Sequence, residues 1–248
     1  MEKGITASEG GTNTAPMMTS KDTAADEKVT TPDLQTMNDD KLARNECIKR
    51  IIAEDIKEGK LDHSYLIIAD KRLSCLGVAD YLVNEGVFAA SEVRVCTGSN
   101  YNRKGRVYVR QFKKCEEGVR VLIMTPEFAI RGVSYPCHPS IIWYKTHPVY
   151  DTPASLLNAY LSAVSRLGPM NIEGHFHALL RPGDRDDERL CAAIVPFYDQ
   201  KEMGQDNPVT DFMREMANAS NTKVTAADVS KDGQSEGVMC RIFGAPRY

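Results

Sequence analysis

Long apolar runs are missing from this sequence: nothing approaches the roughly 18 residues that a membrane-spanning helix needs, so no membrane partner is expected. Cys-x-x-Cys pairs are missing too. The seven cysteines (Cys47, Cys75, Cys96, Cys115, Cys137, Cys191 and Cys240) are scattered and odd in number. That pattern argues against a disulfide framework and suits reduced, buried thiols in an intracellular chain. Neither sign of charge is in great excess, since the formal net charge is −3. The chain as a whole therefore does not attract a polyanion, and any nucleic-acid site has to be a local patch. The opening MEKGITASEGG has no apolar core and no arginine-rich bias, so no targeting segment is expected and the location should be cytoplasmic or nuclear. Gly10 and Gly11 are not followed by Gly-Lys-Ser/Thr, which excludes a phosphate loop there. No internal repeat and no Gly-x-Ser-x-Gly elbow occurs, and the latter absence leaves serine nucleophile chemistry unsupported.

What is present is an ordinary soluble composition, 42% hydrophobic and 26% charged over 248 residues, enough for one domain with tails. Residues 1–37 are rich in Thr, Ser, Gly, Ala and acids and short of large apolar side chains, the composition of a disordered tail. From Asn38, a candidate N-cap, Leu42, Cys47, Ile48, Ile51, Ile52 and Ile56 recur at helical spacing until Gly59 closes the helix. Short apolar runs follow as strands at 65–69, 93–96, 119–124, 140–144 and 174–180. Between them, helices are expected at 73–84, 102–115, 153–165 and, after the last strand, 187–197. Strands alternating with amphipathic helices predict an α/β fold, a parallel sheet flanked by helices. Ligands on such sheets gather at the C-terminal strand ends, here Thr97-Gly98 and Thr125-Pro126-Glu127. Residues 38–219 are read as the domain and 220–248 as a polar C-terminal tail.

The helix at 102–115 concentrates positive charge in a chain that is slightly acidic. Arg103, Arg106, Arg110 and Lys113 recur at spacings of 3, 4 and 3, one face of a helix, with Lys104 and Lys114 flanking. Tyr108, Val109, Phe112 and Cys115 form the opposing, core-facing side. Such a stripe is either a solvated face or a phosphate-binding one. His175 and His177 lie two apart on a predicted strand, so both rings point to one face. Their spacing shows no convergence with Cys137, His138 or His147, so no metal site is expected.

The order strand, helix, strand, basic helix, strand, "RGV", strand, helix, "SRLG" resembles the C-terminal, second RecA-like lobe of DEAD-box RNA helicases over Asp39 to Ala217. Tyr65 to Arg72 is similar to the family's apolar strand ending in Thr-Lys, and Leu76 to Leu82 to the helix after it. Thr97 to Arg103 stands in place of the His-Gly-Asp-x-x-Gln segment, with Phe112 at the spacing of the helix-end Phe. Val121 to Met124 and Ile130 to Ser134 resemble motif V, Tyr160 to Pro169 resembles motif VI, and Asn207 to Met213 resembles the helix start that often follows this lobe. The resemblance implies a single RecA-like domain with RNA phosphates near Gly98, Arg103, Lys104, Arg106 and Arg110. It also implies remnants of an interlobe ATP site at Arg131, Gly132 and Arg166.

The departures are as informative as the matches. In motif V the Thr-Asp pair is Pro126-Glu127 and the final Asp is Ser134; in motif VI two of the three arginines are Ala163 and Pro169. A phosphate-stabilising arginine of this kind supplies about 10³- to 10⁵-fold in rate, and proline offers neither charge nor a hydrogen bond. A first lobe, with its phosphate loop and Asp-Glu-Ala-Asp magnesium ligands, is not in this sequence. No catalytic residue and no cofactor is therefore expected, with ATP and magnesium entering only if a first lobe is supplied. Three functions follow: a degenerate lobe that binds single-stranded RNA or a protein partner; half of an ATP-dependent RNA helicase completed in cis or in trans; or an unrelated nucleotide-binding α/β domain.

Overall fold

The computed structural model describes residues 34–59, 63–98, 104–114, 118–129, 139–164, 175–200, 208–221 and 240–242. In chain order these form α1 (Leu34–Lys57), β1 (Ser64–Ile68), α2 (Arg72–Asn84), β2 (Val93–Cys96), α3 (Arg106–Lys114), β3 (Val121–Met124) and α4 (Pro126–Ala129). After them come β4 (Pro139–Trp143), α5 (Pro153–Val164), β5 (Phe176–Ala178), α6 (Arg185–Gln200), α7 (Pro208–Asn221) and β6 (Cys240–Ile242).

The strands make one sheet in the order β2-β3-β1-β4-β5-β6. The first five are parallel, consistent with a single RecA-like α/β domain, and β6 joins antiparallel to β5. Central β1 is buried at every position, as a strand covered on both faces must be. Side chains alternate between two cores. Tyr65, Ile67, Val121, Ile123 and Ile142 pack under α1 and α2 with Cys47, Ile48, Ile52, Cys75, Val78 and Leu82. Leu66, Ile68, Leu122, Met124, Ile141 and Trp143 face the other way, into Phe112, Leu156, Tyr160, Leu190, Ile194 and Met213. Burial of that order, at about 25 cal/mol per Å² of apolar surface, is what holds the layers together.

Several expectations change. Helix α1 starts at Leu34, so Asn38 lies inside it and does not cap it. Leu42 and Ile56, counted in the apolar stripe, are 55% and 40% exposed. Leu42 sits about 140° around the helix from Cys47, whereas Asp40, Arg44 and Asp55 fall in the stripe and are buried. Basic α3 begins at Arg106, with Lys104 and Gly105 in the turn leading in. Thr125-Pro126-Glu127 does follow the C-terminal end of β3, and Pro126 opens the one-turn helix α4. Past residue 220 the polar stretch supplies β6, which pairs with and covers the β5 edge. Gly59 and Gly86, just past α1 and α2, have φ of 80° and 66°, a left-handed conformation that a Cβ disfavours and that lets the chain turn back. Cys47, Cys75, Cys96 and Cys191 are buried thiols. Among the described residues no helix is long and apolar enough to cross a membrane.

Candidate nucleic-acid interface

Strand β1 sends its chain into α2 on one face of the sheet, and neighbouring β4 sends its chain into α5 on the other. Helices leaving to opposite faces open a crevice at the C-terminal ends of these strands. Asp70 and Lys71 follow β1 there, and Tyr144, Lys145 and Thr146 follow β4. Asp70 is 5% exposed, and its Oδ1 has no hydrogen-bond partner; Lys71 Nζ stands 3.9 Å from Oδ2.

One side of this strand-end region is filled from within. Arg44, its side chain 5% exposed, reaches from α1 and donates to the carbonyl oxygens of Tyr144 at 2.8 Å and Leu179 at 2.6 Å, the residues that follow β4 and β5. It also meets Asp187 Oδ2 at 2.6 Å, Asp40 Oδ1 at 3.0 Å and Asp184 Oδ2 at 3.5 Å. Lys145 joins Asp184 at 2.6 Å and Asp40 at 3.4 Å, and Arg181 joins Asp40 at 3.1 Å. Burial pushes the Asp187 carboxyl up to about 6 against the pull of Arg44. For Asp40, burial also acts upward, but Arg44, Lys145 and Arg181 together hold it below the usual carboxylate range. Burial opposes the charge on Arg44, and Asp187 and Asp40 outweigh it, so the guanidinium stays charged. Three cations against three carboxylates leave no net charge for a ligand, and the cluster ties α1 to the start of α6. Sequence inspection missed it, although a polar Asp40-x-x-x-Arg44 pair in the apolar phase of a helix was the available signal.

The other side, at β2 and α3, is built differently. Phe112 and Val109 are buried against the sheet and fix the rotation of α3, which turns Arg106 and Arg110 outward. Lys104 is exposed in the lead-in, Lys113 is half-buried and Lys114 exposed. No acidic residue occurs in α3. Because α3 starts at the end of the sheet where β2 finishes, Lys104 and Arg106 stand on the side of exposed Gly98, with Arg110 a turn further along. At Gly98 an added Cβ would rest 3.8 Å from the Phe128 ring. Gln111, unanticipated, is buried and takes Arg94 Nε at 3.4 Å. Arg94 in turn lies 5.7 Å over the Tyr108 ring and donates to Ser91 O at 2.7 Å and Val93 O at 3.0 Å. Val93, Arg94, Val95, Tyr108 and Gln111 line a cavity of about 420 Å³ beside this helix.

Of the residues expected at the site, Gly98, Lys104, Arg106 and Arg110 are therefore placed at this region. Arg103 of the RNA set lies outside the described residues, as do Arg131, Gly132 and Arg166 of the ATP-site remnant. Ala163 is fully buried in the core facing α3, α5 and α6. His175 and His177 do have neighbouring rings, 6.2 Å apart, with His175 just ahead of the strand. Among the described residues no three metal-ligating side chains are grouped to hold an ion.

No family model and no curated protein matches this sequence. Solved structures do. The chain is similar to the helicase domain of Pyrococcus furiosus Hef, with 18% identity, 64% of this chain and 28% of that one covered, and a TM-score of 0.43. It is similar to the C-terminal part of the Fun30 ATPase domain, with 11% identity, coverage of 72% and 54%, and a TM-score of 0.47. S. cerevisiae Dbp5 bound to RNA and ADP BeF3 aligns at 16% identity over 71% of this chain and 42% of that one, TM-score 0.47. The chain thus spans between 28% and 54% of the length of these three structures.

Proposed function

We propose that this chain is a helicase-like lobe that binds single-stranded RNA through the exposed face of α3 and does not hydrolyse ATP by itself. The observation that carries the reading is the orientation of α3. Its apolar side is locked into the core by Val109 and Phe112, so Arg106 and Arg110 are presented to solvent beside Lys104 and Gly98 at a C-terminal strand end. Cations held in a row along a rigid helix meet successive phosphates, which gives affinity without sequence preference. The motif resemblance adds the polymer, because this helix and the Gly98 loop are where the family's second lobe meets RNA.

Loss of catalysis rests on the replaced motif residues. Pro126, Glu127 and Ser134 replace the polar pattern of motif V, and Ala163 and Pro169 replace two arginines of motif VI. Ala163 is packed against apolar neighbours, so a cation in its place would have to be buried, at considerable cost. A lobe in this condition keeps its core because packing demands it, and works as a platform.

Fluorescence anisotropy of a labelled single-stranded RNA titrated with the full chain tests this, at about 50 and 200 mM salt. The expected result is binding whose log K falls by about 0.7 per phosphate contact for each decade of salt. A Lys104→Glu, Arg106→Glu, Arg110→Glu triple variant should lose that binding and remain folded. Binding that the triple variant retains removes α3 from the site. No binding by the wild type at either salt turns the reading from RNA to a protein-docking platform.

A further inference from the structure

Strand β2 is the outermost strand of the described sheet, and its side chains alternate between the two faces. Val93 and Val95 pack with the core under α1 and α2, whereas Arg94 points with Cys96 toward α3. An apolar residue at 94 would simply extend the packing of α3 on the sheet. The arginine instead meets Tyr108 and Gln111 on the flank of α3, and the space they line with Val93 and Val95 is a cavity of about 420 Å³, open to the surface. That volume falls within the roughly 300–1,000 Å³ of small-ligand sites. Arg94 is firmly held there. Its Nε donates to Gln111 Oε1 at 3.4 Å and its Nη1 to the carbonyl oxygens of Ser91 and Val93 at 2.7 and 3.0 Å, while the guanidinium carbon lies 5.7 Å from the Tyr108 ring centroid. With Nε and Nη1 committed, the cavity is offered the flat faces of a guanidinium and a phenol more than the N–H fork that grips a carboxylate or phosphate.

We propose that the cavity between β2 and α3 is a nucleobase pocket, in which one base of the bound RNA lies against Arg94 and Tyr108 while the neighbouring phosphates run over Lys104 and Arg106. The inference rests on the RNA reading of α3 and adds a base-dependent contact to it. Planar surfaces of this kind take planar ligands, and the base is the planar group that RNA brings. The cavity also shares its helix with the exposed cations. Lys104, Tyr108 and Gln111 are spaced i, i+4 and i+7, so exposed Lys104 stands about one turn ahead on the flank that lines the cavity. Phosphate contacts alone treat a bare backbone and a complete RNA alike; the pocket makes binding depend on the presence of a base. Every base has a π face, so the preference is for base over no base and only weakly among the four.

Fluorescence anisotropy with the full chain tests the pocket by comparing a labelled oligouridine with an abasic ribose-phosphate oligomer of the same length. The wild type should bind oligouridine about fivefold tighter or more, the worth of one stacked base. Arg94→Lys keeps the charge and loses the planar face, and Tyr108→Leu keeps an apolar side chain and loses the ring. Each should bring that ratio toward one and leave the affinity for the abasic oligomer unchanged. Equal wild-type affinity for the two oligomers overturns the pocket while the phosphate reading of α3 stands. A base advantage undiminished in both variants also overturns it, since the stacking then lies elsewhere. Binding of neither oligomer removes the RNA reading and the pocket together. Should neither variant fold, irradiation of the wild type with a 4-thiouridine-substituted RNA decides. An adduct mapped to Val93–Cys96 or Tyr108–Gln111 supports the pocket, and adducts only elsewhere, or none, overturn it.

Discussion

Arg44 on α1 and Arg106 on α3 carry the same guanidinium on helices packed against opposite faces of one sheet, yet one is engulfed and the other stands in solvent. Arg44 falls in the apolar phase of its helix, and three carboxylates and two carbonyl oxygens meet it. Arg106 falls outside the phase set by Val109 and Phe112, on a helix with no acid of its own. Cationic side chains near a strand end thus divide into those that complete the fold and those left exposed to solvent. What divides them is rotation about the helix axis, not residue type.

The largest effect expected from breaking this contrast is at Arg44. Arg44→Ala leaves Asp187 and Asp40 buried without their main partner, and should cost ~3–5 kcal/mol in urea unfolding. A loss as small as that of a surface substitution would mean that the cluster is solvated and the contrast is wrong. A smaller effect is expected in the pH dependence of Asp187→Asn. Because burial raises the Asp187 carboxyl to about 6, the folded state holds its proton longer than the unfolded one. The stabilisation from this group is complete below the unfolded value near 3.9 and is lost as pH rises through about 6. Wild-type stability relative to Asp187→Asn should therefore decline between those limits, at no more than ~1.4 kcal/mol per pH unit, and level off above them. A difference that is flat with pH would show that Arg44 holds the carboxylate ionised throughout. At the far end of the scale, the α3 triple charge reversal should leave the melting temperature essentially unchanged while abolishing RNA binding, since all three side chains are exposed. A collapse in stability there would make α3 a second structural cluster and end the distinction.

Much of the fold was legible along the chain. The runs at 65–69, 93–96 and 119–124 are short and largely apolar, and each appears as a strand within a residue or two of its expected place, with β1 and β3 buried at every position and edge strand β2 only in part. The rotation of α3 was legible too, because Val109 and Phe112 fix the core phase and the cations fall outside it. The start of α1 was not, since Asn38 offers a good cap signal that a longer helix overrides. Nor was β6. The short, mostly apolar run Val238 to Phe243 inside the polar tail was the available signal, and Cys240–Ile242 within it pairs with the edge that β5 presents.

The sequence by itself determined the alternation of strands and helices, the two buried faces and the position of the basic stripe, because each depends on residues within a few places of one another. Only the tertiary structure decided which polar residues are internal. Arg44 meets Asp187 across 143 positions of chain, and Ser140 meets Asp55 across 85. His63 lies beside His175 solely because β1 and β5 flank β4 in the sheet. Local propensity carries no information about such pairings; they form because a buried charge or hydrogen-bonding group must find its partner wherever the packing of the sheet brings one within reach.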